Sequence, residues 1–194
     1  MNAIAQATVE LPLSKRLKAS SSSDHDSVDN LVMAARPFAS LQRYGCFLRV
    51  QHAFHGAIDA LYQQAPLNLL LPGLCDLPRY QAVCADLADL GLEVPAKPAP
   101  VAPADAWHAM GWLYCSEGSN LGAAFLFKQS QLIGLSETHG ARHLAAHPEG
   151  RALHWRHFVA LLDGLALDDR QNQAAIQGAR DAFDFYRQAL AQNF

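Results

Sequence analysis

The chain of 194 residues has no Cys-x-x-Cys pair, no long apolar run and no concentrated basic face, and each absence removes a class of function. Its four cysteines, Cys46, Cys75, Cys84 and Cys115, lie far apart and follow no export signal, which disfavours a disulfide framework or a zinc knuckle. They are expected to be reduced, mostly buried thiols. The opening residues, MNAIAQATVELPLSK, contain Glu10 and lack the basic start and apolar core of an export signal. Residues 1–10 are expected to form a flexible N-terminus. No stretch reaches the roughly 18 uninterrupted apolar residues of a membrane span. A net charge of -3 with scattered basic residues argues against nucleic acid as a partner. The expectation is a soluble cytoplasmic protein with neither membrane nor nucleic acid among its partners. Strand alternation is missing too, so the fold class is all-α, with about seven or eight helices in one domain spanning residues 1–194.

What is present is helical periodicity. From Leu11 to Met33, Leu13, Leu17, Val28, Leu31 and Val32 recur at helical spacing, interrupted by Ser20, Ser21, Ser22, Ser23 and Asp24. Serine and aspartate favour caps and turns, so this stretch reads equally as a break, with a helix capped at Ser23 or Asp24, or as one continuous helix. His25 shares a face with Val28 and Val32, which points an imidazole toward the interior. A second helix starts at Pro37 to Ser40, and its stripe through Phe47, Leu48, Phe54 and Ile58 contains Gln51 and His55, four residues apart on one face. As buried groups they need partners, as satisfied core residues or as parts of a site. Pro78 to Leu90 reads as a helix stopped by Gly91, and EVPAKPAPVAPAD as an extended connector across one face of the domain. Pro148 to Asp163 and a last helix opened by the capping-box pair Asp168 and Gln171 complete the set.

The most unusual stretch is Asp105 to Gly134, a helical pattern capped by Asp105 and carrying Gly111, Gly118 and Gly122. A helical glycine costs about 1 kcal/mol relative to alanine, so three on one face require a compensating reason. Another backbone or a flat ligand should lie against that face, with a bend at Gly118 to Gly122. Nine histidines raise the question of a metal. His139, His143 and His147, with His154 and His157, are interrupted by Gly140 and Pro148, lack an HExxH motif or a carboxylate partner, and read as surface residues. No GxSxG elbow is present. One imidazole, His25, opposite a side-chain-free helix is the arrangement a planar metallocycle needs.

These residues resemble a known family. KASSSSDH, from Lys18 to His25, is similar to the K-x-x-T-x-x-x-H segment of haem (heme) oxygenases, with Ser21 in place of threonine. GWLY followed by SEGSNLGAAFLFK resembles the distal helix of the Neisseria and Pseudomonas iron-acquisition type. PFAS, LADLG, GARHLA, FVALLDG and DAF extend the likeness in order over nearly the whole chain.

The resemblance implies a fold in which haem, both substrate and cofactor, is sandwiched between a proximal and a distal helix. It makes His25 the proximal axial ligand of the iron, and Gly118, Ser119 and Gly122 the flexible distal floor where O2 binds. Gln51 and His55 would organise distal water that supplies the proton for oxygen activation. Lys18 would pair with one propionate and Tyr186 lie near the other, with Phe183 beside the macrocycle and Tyr114 a weaker match. Gly111 becomes a helix-packing glycine. The implied products are biliverdin, ferrous iron and CO. With no flavin or nicotinamide fingerprint, electrons must come from an external electron donor such as a ferredoxin or flavin reductase, and the protein would act as a monomer. In a relative that cleaves at unusual meso positions, lysines hold the propionates where this chain has Met33 and Gln129, so α-meso cleavage is implied. The alternative is a non-enzymatic haem carrier or sensor on the same fold.

Overall fold

In the computed structural model, which describes residues 11–194, seven α-helices follow one another and no strand forms among the described residues. The expectation for residues 1–10 lies outside the described residues. The helices are α1 (Leu13–Ala34), α2 (Leu41–Tyr62), α3 (Ala65–Leu70), α4 (Tyr80–Asp89), α5 (Ala106–Gln131), α6 (Arg151–Asp163) and α7 (Asp169–Asn193), with 3-10 turns at Pro37–Ala39, Leu74–Asp76 and Arg142–Leu144.

The serine run does not break α1, which starts at Leu13 behind Pro12 and continues to Ala34. Local preference loses to tertiary anchoring. Ser14 donates from its amide and hydroxyl to the Asp163 carboxylate at 2.8 Å each, Ser21 is buried with its hydroxyl bonded back to Leu17 O at 2.8 Å, and Arg187 of α7 holds Asp24 at 3.0 Å. Ser40 caps α2 by accepting from Arg43 N, Asp105 caps α5 by accepting from His108 N, and Asp168 with Gln171 forms the capping box of α7. Each satisfies a first-turn amide that would otherwise lack a partner.

Helix α7 is the axis of the fold and packs along α5, α1 and α2. Its crossing with α5 is backbone on backbone. A Cβ on Gly178 would lie 1.9 Å from His108 O, and one on Gly111 would lie 2.1 Å from Ala175 O. Gly111 is therefore a packing glycine, as expected. Residues 92–103 have no regular structure and cross α2, where Val101 N donates to Ala57 O at 2.9 Å. A Cβ on Gly56 would meet Pro98 at 2.6 Å.

Two apolar clusters fill the interior. One joins Leu13 and Leu17 of α1, Phe54 and Ile58 of α2, Leu113 of α5 and Ala179 of α7. The other gathers Val28 and Val32 of α1, Phe47 of α2 and Ala123 of α5, with Phe183 and Tyr186 of α7 packed against it. Helix α1 packs on α7 and α6 but makes at most marginal contact with α5, so the two long helices stand on either side of α7. The cysteines are unpaired, but Cys75 is exposed and the other three are half-buried, less buried than expected.

Candidate functional site

Around Phe183 and Tyr186, which pack against the second cluster, the structure gathers Gln51, His55 and His25 of the sequence-predicted site residues. Gln51 and His55 of α2 are buried, and Gln51 Nε2 donates to Tyr186 Oη of α7 at 2.6 Å. Phe54 lies beside both Tyr186 and His55, with ring centroids 5.5 Å away in each case. Phe183, one turn before Tyr186, sits 6.2 Å edge-on from the His25 imidazole of α1. Burial pushes the Tyr186 hydroxyl well above its ordinary range, so it stays protonated. Burial also holds His55 well below the usual imidazole value, helped by the positive charge of Arg79. His55 is therefore neutral at physiological pH, and its Nδ1 is buried without a partner.

His25 departs from the expectation of an interior histidine. Its side chain is 60% exposed, although Val28 and Val32 on the same face are buried. The reason is topological: α5 does not close over that turn of α1. Nδ1 of His25 lies 3.5 Å from the Asp29 carboxylate and 3.8 Å from that of Asp26. Lys18 is exposed on α1, two turns before His25.

On α5 the glycines differ. A Cβ on Gly118 would come 3.4 Å from the Trp155 ring, an ordinary contact, whereas one on Gly122 would meet nothing within 4 Å. Gly122 is flanked by Leu121 and Phe125, 43% and 49% exposed, so this turn presents bare backbone between uncovered apolar side chains. Ser119 is exposed and its hydroxyl bonds Ser116 O at 2.7 Å. The helix is unbroken through Gly118 and Gly122. Tyr114 is set apart: it is half-buried against Trp155, at 5.5 Å, and burial pushes its hydroxyl up to about 12.

A planar group bearing a metal fits this arrangement. An uncovered imidazole with carboxylates nearby and Phe183 beside it, and an uncovered glycine turn with apolar flanks, both border one core cluster.

Two of the histidines read as surface residues are instead buried, and they have carboxylate partners that the spacing did not reveal. His143 Nδ1 bonds Asp86 Oδ2 at 2.7 Å, and His154 Nε2 bonds Glu117 Oε2 at 2.8 Å. Glu117 also accepts from Tyr62 Oη at 2.6 Å and lies 3.6 Å from Arg79. The partners are 37 to 57 residues away in sequence, beyond any local motif. His139 and His157 do lie at the surface, and His147 is half-buried. A further buried histidine, His52, pairs with Tyr80 Oη at 3.1 Å. Two cavities lie elsewhere. One of about 440 Å³ is lined by Val101, His108, Trp112, Asp181 and Phe185. The other, of about 170 Å³, is lined by Arg79, Asn120, Arg142, His143, His147 and His154.

The sequence matches the family model described as heme oxygenase over residues 11–192. It is 42% identical over 183 residues to the heme oxygenase PigA of Pseudomonas aeruginosa, covering 93% of this chain and 92% of that protein. The fold superposes with a TM-score of 0.88 on the crystal structure of the NO- and CO-bound heme oxygenase of Neisseria meningitidis, at 49% identity, covering 95% of this chain and 92% of that one. A match across nearly every described residue, in an all-α fold with a histidine and a bare glycine turn beside one cluster, places this chain in the heme oxygenase family.

Proposed function

We propose that this haem oxygenase holds haem between α1 and α5 and cleaves it, with O2 and external electrons, to biliverdin, ferrous iron and CO. The observation that carries the reading is the pair of uncovered features, His25 on α1 beside Phe183 and Gly122 on α5 next to Ala123, both bordering the cluster against which Phe183 and Tyr186 pack. Bound haem supplies the iron that takes dioxygen and the meso carbon that is oxidised. The chain supplies position and protons. His25 ligates through Nε2, with Nδ1 near the carboxylates of Asp29 and Asp26. Gly118 and Gly122 let the α5 backbone approach the ring face, which a larger residue would prevent. Gln51, fixed by Tyr186, and neutral His55 hold water on the oxygen side and deliver protons through it.

Lys18 pairs with one propionate and Tyr186 lies near the other. Met33, 47% exposed on the same helix, offers no positive charge to draw the ring into another seating, which supports α-meso cleavage. Electrons come from a ferredoxin or a flavin reductase, and the protein works as a cytoplasmic monomer. No helix among the described residues is long and apolar enough to cross a membrane. The test is spectroscopic. Haem-loaded protein given ascorbate or a reductase should lose its Soret band and gain biliverdin absorbance, with chromatography identifying the α isomer. An unchanged Soret band would leave a haem carrier or sensor.

A further inference from the structure

Of the ionisable side chains among the described residues that line the smaller cavity, only Asp76 is an acid. Arg79, Arg142, His143, His147 and His154 are basic, and buried Asn120 adds an amide. Two of these groups have hydrogen-bonding capacity to spare. The Arg79 guanidinium, 17% exposed, has no hydrogen bond among the described residues, and its ion-pair contact with Glu117 Oε2 is long, at 3.6 Å. Glu117 is already supplied by Tyr62, His154 and Asn120, at 2.6, 2.8 and 3.3 Å, which leaves the N–H fork of Arg79 for another acceptor. His143 is 3% exposed, and its Nε2 is buried without a partner. Such orphaned atoms are rare in folded proteins.

The tautomer of His143 decides what that nitrogen can bind. Asp86 is fully buried, and its carboxylate takes the His143 amide at 3.0 Å and Nδ1 at 2.7 Å. An ionised carboxylate only accepts, so Nδ1 carries the hydrogen, and Nε2, on the side of the ring away from Asp86, is an acceptor. His147 is the reverse case. Its Nδ1 accepts from Glu149 N at 3.3 Å, which leaves the hydrogen on Nε2 as a donor. Arg142 is matched by Asp86 and Asp89. The cavity, of about 170 Å³, is several times the roughly 30 Å³ of one water molecule and smaller than the roughly 300 Å³ of a pocket for a larger organic ligand.

We infer that this cavity binds a small oxyanion that keeps one hydrogen, hydrogen phosphate or bicarbonate: its oxygens accept from Arg79 and His147, and its O–H donates to Nε2 of His143. Sulfate is also an oxyanion but has no hydrogen to give, so it would set an oxygen lone pair against that of Nε2. The site lies beside Asn120 on α5 and does not depend on the haem-cleavage reading.

The test titrates the haem-free protein with inorganic phosphate, bicarbonate and sulfate in mildly alkaline solution, by calorimetry and imidazole nitrogen NMR. His143 should carry a hydrogen on Nδ1 and none on Nε2, and the Nε2 resonance should move as phosphate or bicarbonate binds. Whichever ion moves it at the lower concentration names the ligand. Sulfate should bind at least about 100-fold more weakly than that ion, because a buried acceptor would stay unpaired. Arg79→Gln should weaken binding by about 10-fold or more, and His143→Phe should bring the preferred ion down to the level of sulfate. The comparison of ions uses the unaltered protein, so it decides the matter even where a variant fails to fold. Sulfate binding as tightly as the other two ions would overturn the inference. So would no binding of any of the three, or binding that leaves the Nε2 resonance unmoved.

Discussion

The sharpest test compares Gly122→Ala with Gly111→Ala on the same helix. In the haem-free protein a methyl at 122 meets nothing within 4 Å, so it has no steric cost. It removes the helix penalty of glycine, worth about 1 kcal/mol. For a chain of this size that raises the melting temperature by about 2–4 °C. The same methyl points into the space assigned to haem, and overpacking costs about 1–3 kcal/mol. Haem affinity should therefore fall by roughly 5- to 150-fold, since each 1.4 kcal/mol is tenfold. At Gly111 the methyl would lie 2.1 Å from Ala175 O and 2.4 Å from Ala179 N. Those atoms are backbone, and only separation of α5 from α7 relieves them, at a cost of about 3–5 kcal/mol or loss of folding. Calorimetry of the haem-free proteins and a Soret titration measure both effects. A lower melting temperature for Gly122→Ala would mean that protein atoms cover this turn. A higher melting temperature with unchanged haem affinity would mean that haem binds elsewhere.

Other substitutions probe the remaining parts. His25→Ala should leave haem-free stability within about 0.5 kcal/mol, because the side chain is 60% exposed, yet abolish the spectrum of an imidazole-ligated haem; a ligation spectrum that persists would reassign the axial ligand. Glu117→Ala strips the partner from buried Tyr62 and His154 and should cost about 3–5 kcal/mol in urea unfolding, and a loss below 1 would refute the anchoring role. Burial lowers His55 and His143 below the ordinary 6.5, so the unfolded chain binds protons that the folded chain refuses. Stability should be full above that value and fall as pH drops below it, by up to about 1.4 kcal/mol per pH unit for each group, and His55→Gln should flatten the slope.

The helices were legible because their signals are local. The caps at Ser40, Asp105 and Asp168 lie within three residues of the amides they satisfy. The serine run was ambiguous for the same reason: what settles it is Asp163 and Arg187, far along the chain. Gln51 and His55 were found from their shared helix face, but not the Gln51 bond to Tyr186, which spans 135 positions. His143 and His154 were misread because no short spacing encodes Asp86 or Glu117 as partners. One signal was available: Glu117 stands in an apolar helical stretch, directly before Gly118, where a lone carboxylate needs a counter-group.

That adjacency explains how a glycine-rich turn can hold its shape. At Gly122 the front of α5 has no side-chain packing to restrain it, since side-chain cover ends with Trp155 over Gly118, and the flanks, Leu121 and Phe125, are uncovered. The rear of the same turns is pinned by polar contacts. Ser116 shares a hydrogen bond with Tyr62 Oη, Glu117 takes Tyr62 and His154, and Arg151 donates to the Asn120 carbonyl at 2.9 Å. Ser116 and Glu117 are fully buried, and Asn120 nearly so. Hydrogen bonds in such surroundings are directional and short in range, so they fix the position of the backbone without adding bulk in front of it. An apolar rear face would tolerate small slides of the helix, because dispersion contacts are non-directional. A turn that must stay bare in front, and still present its backbone at a set distance from a ligand, is better held by a carboxylate with two short bonds than by a leucine. The buried carboxylate of Glu117 is then part of what keeps the turn at Gly122 both open and in place.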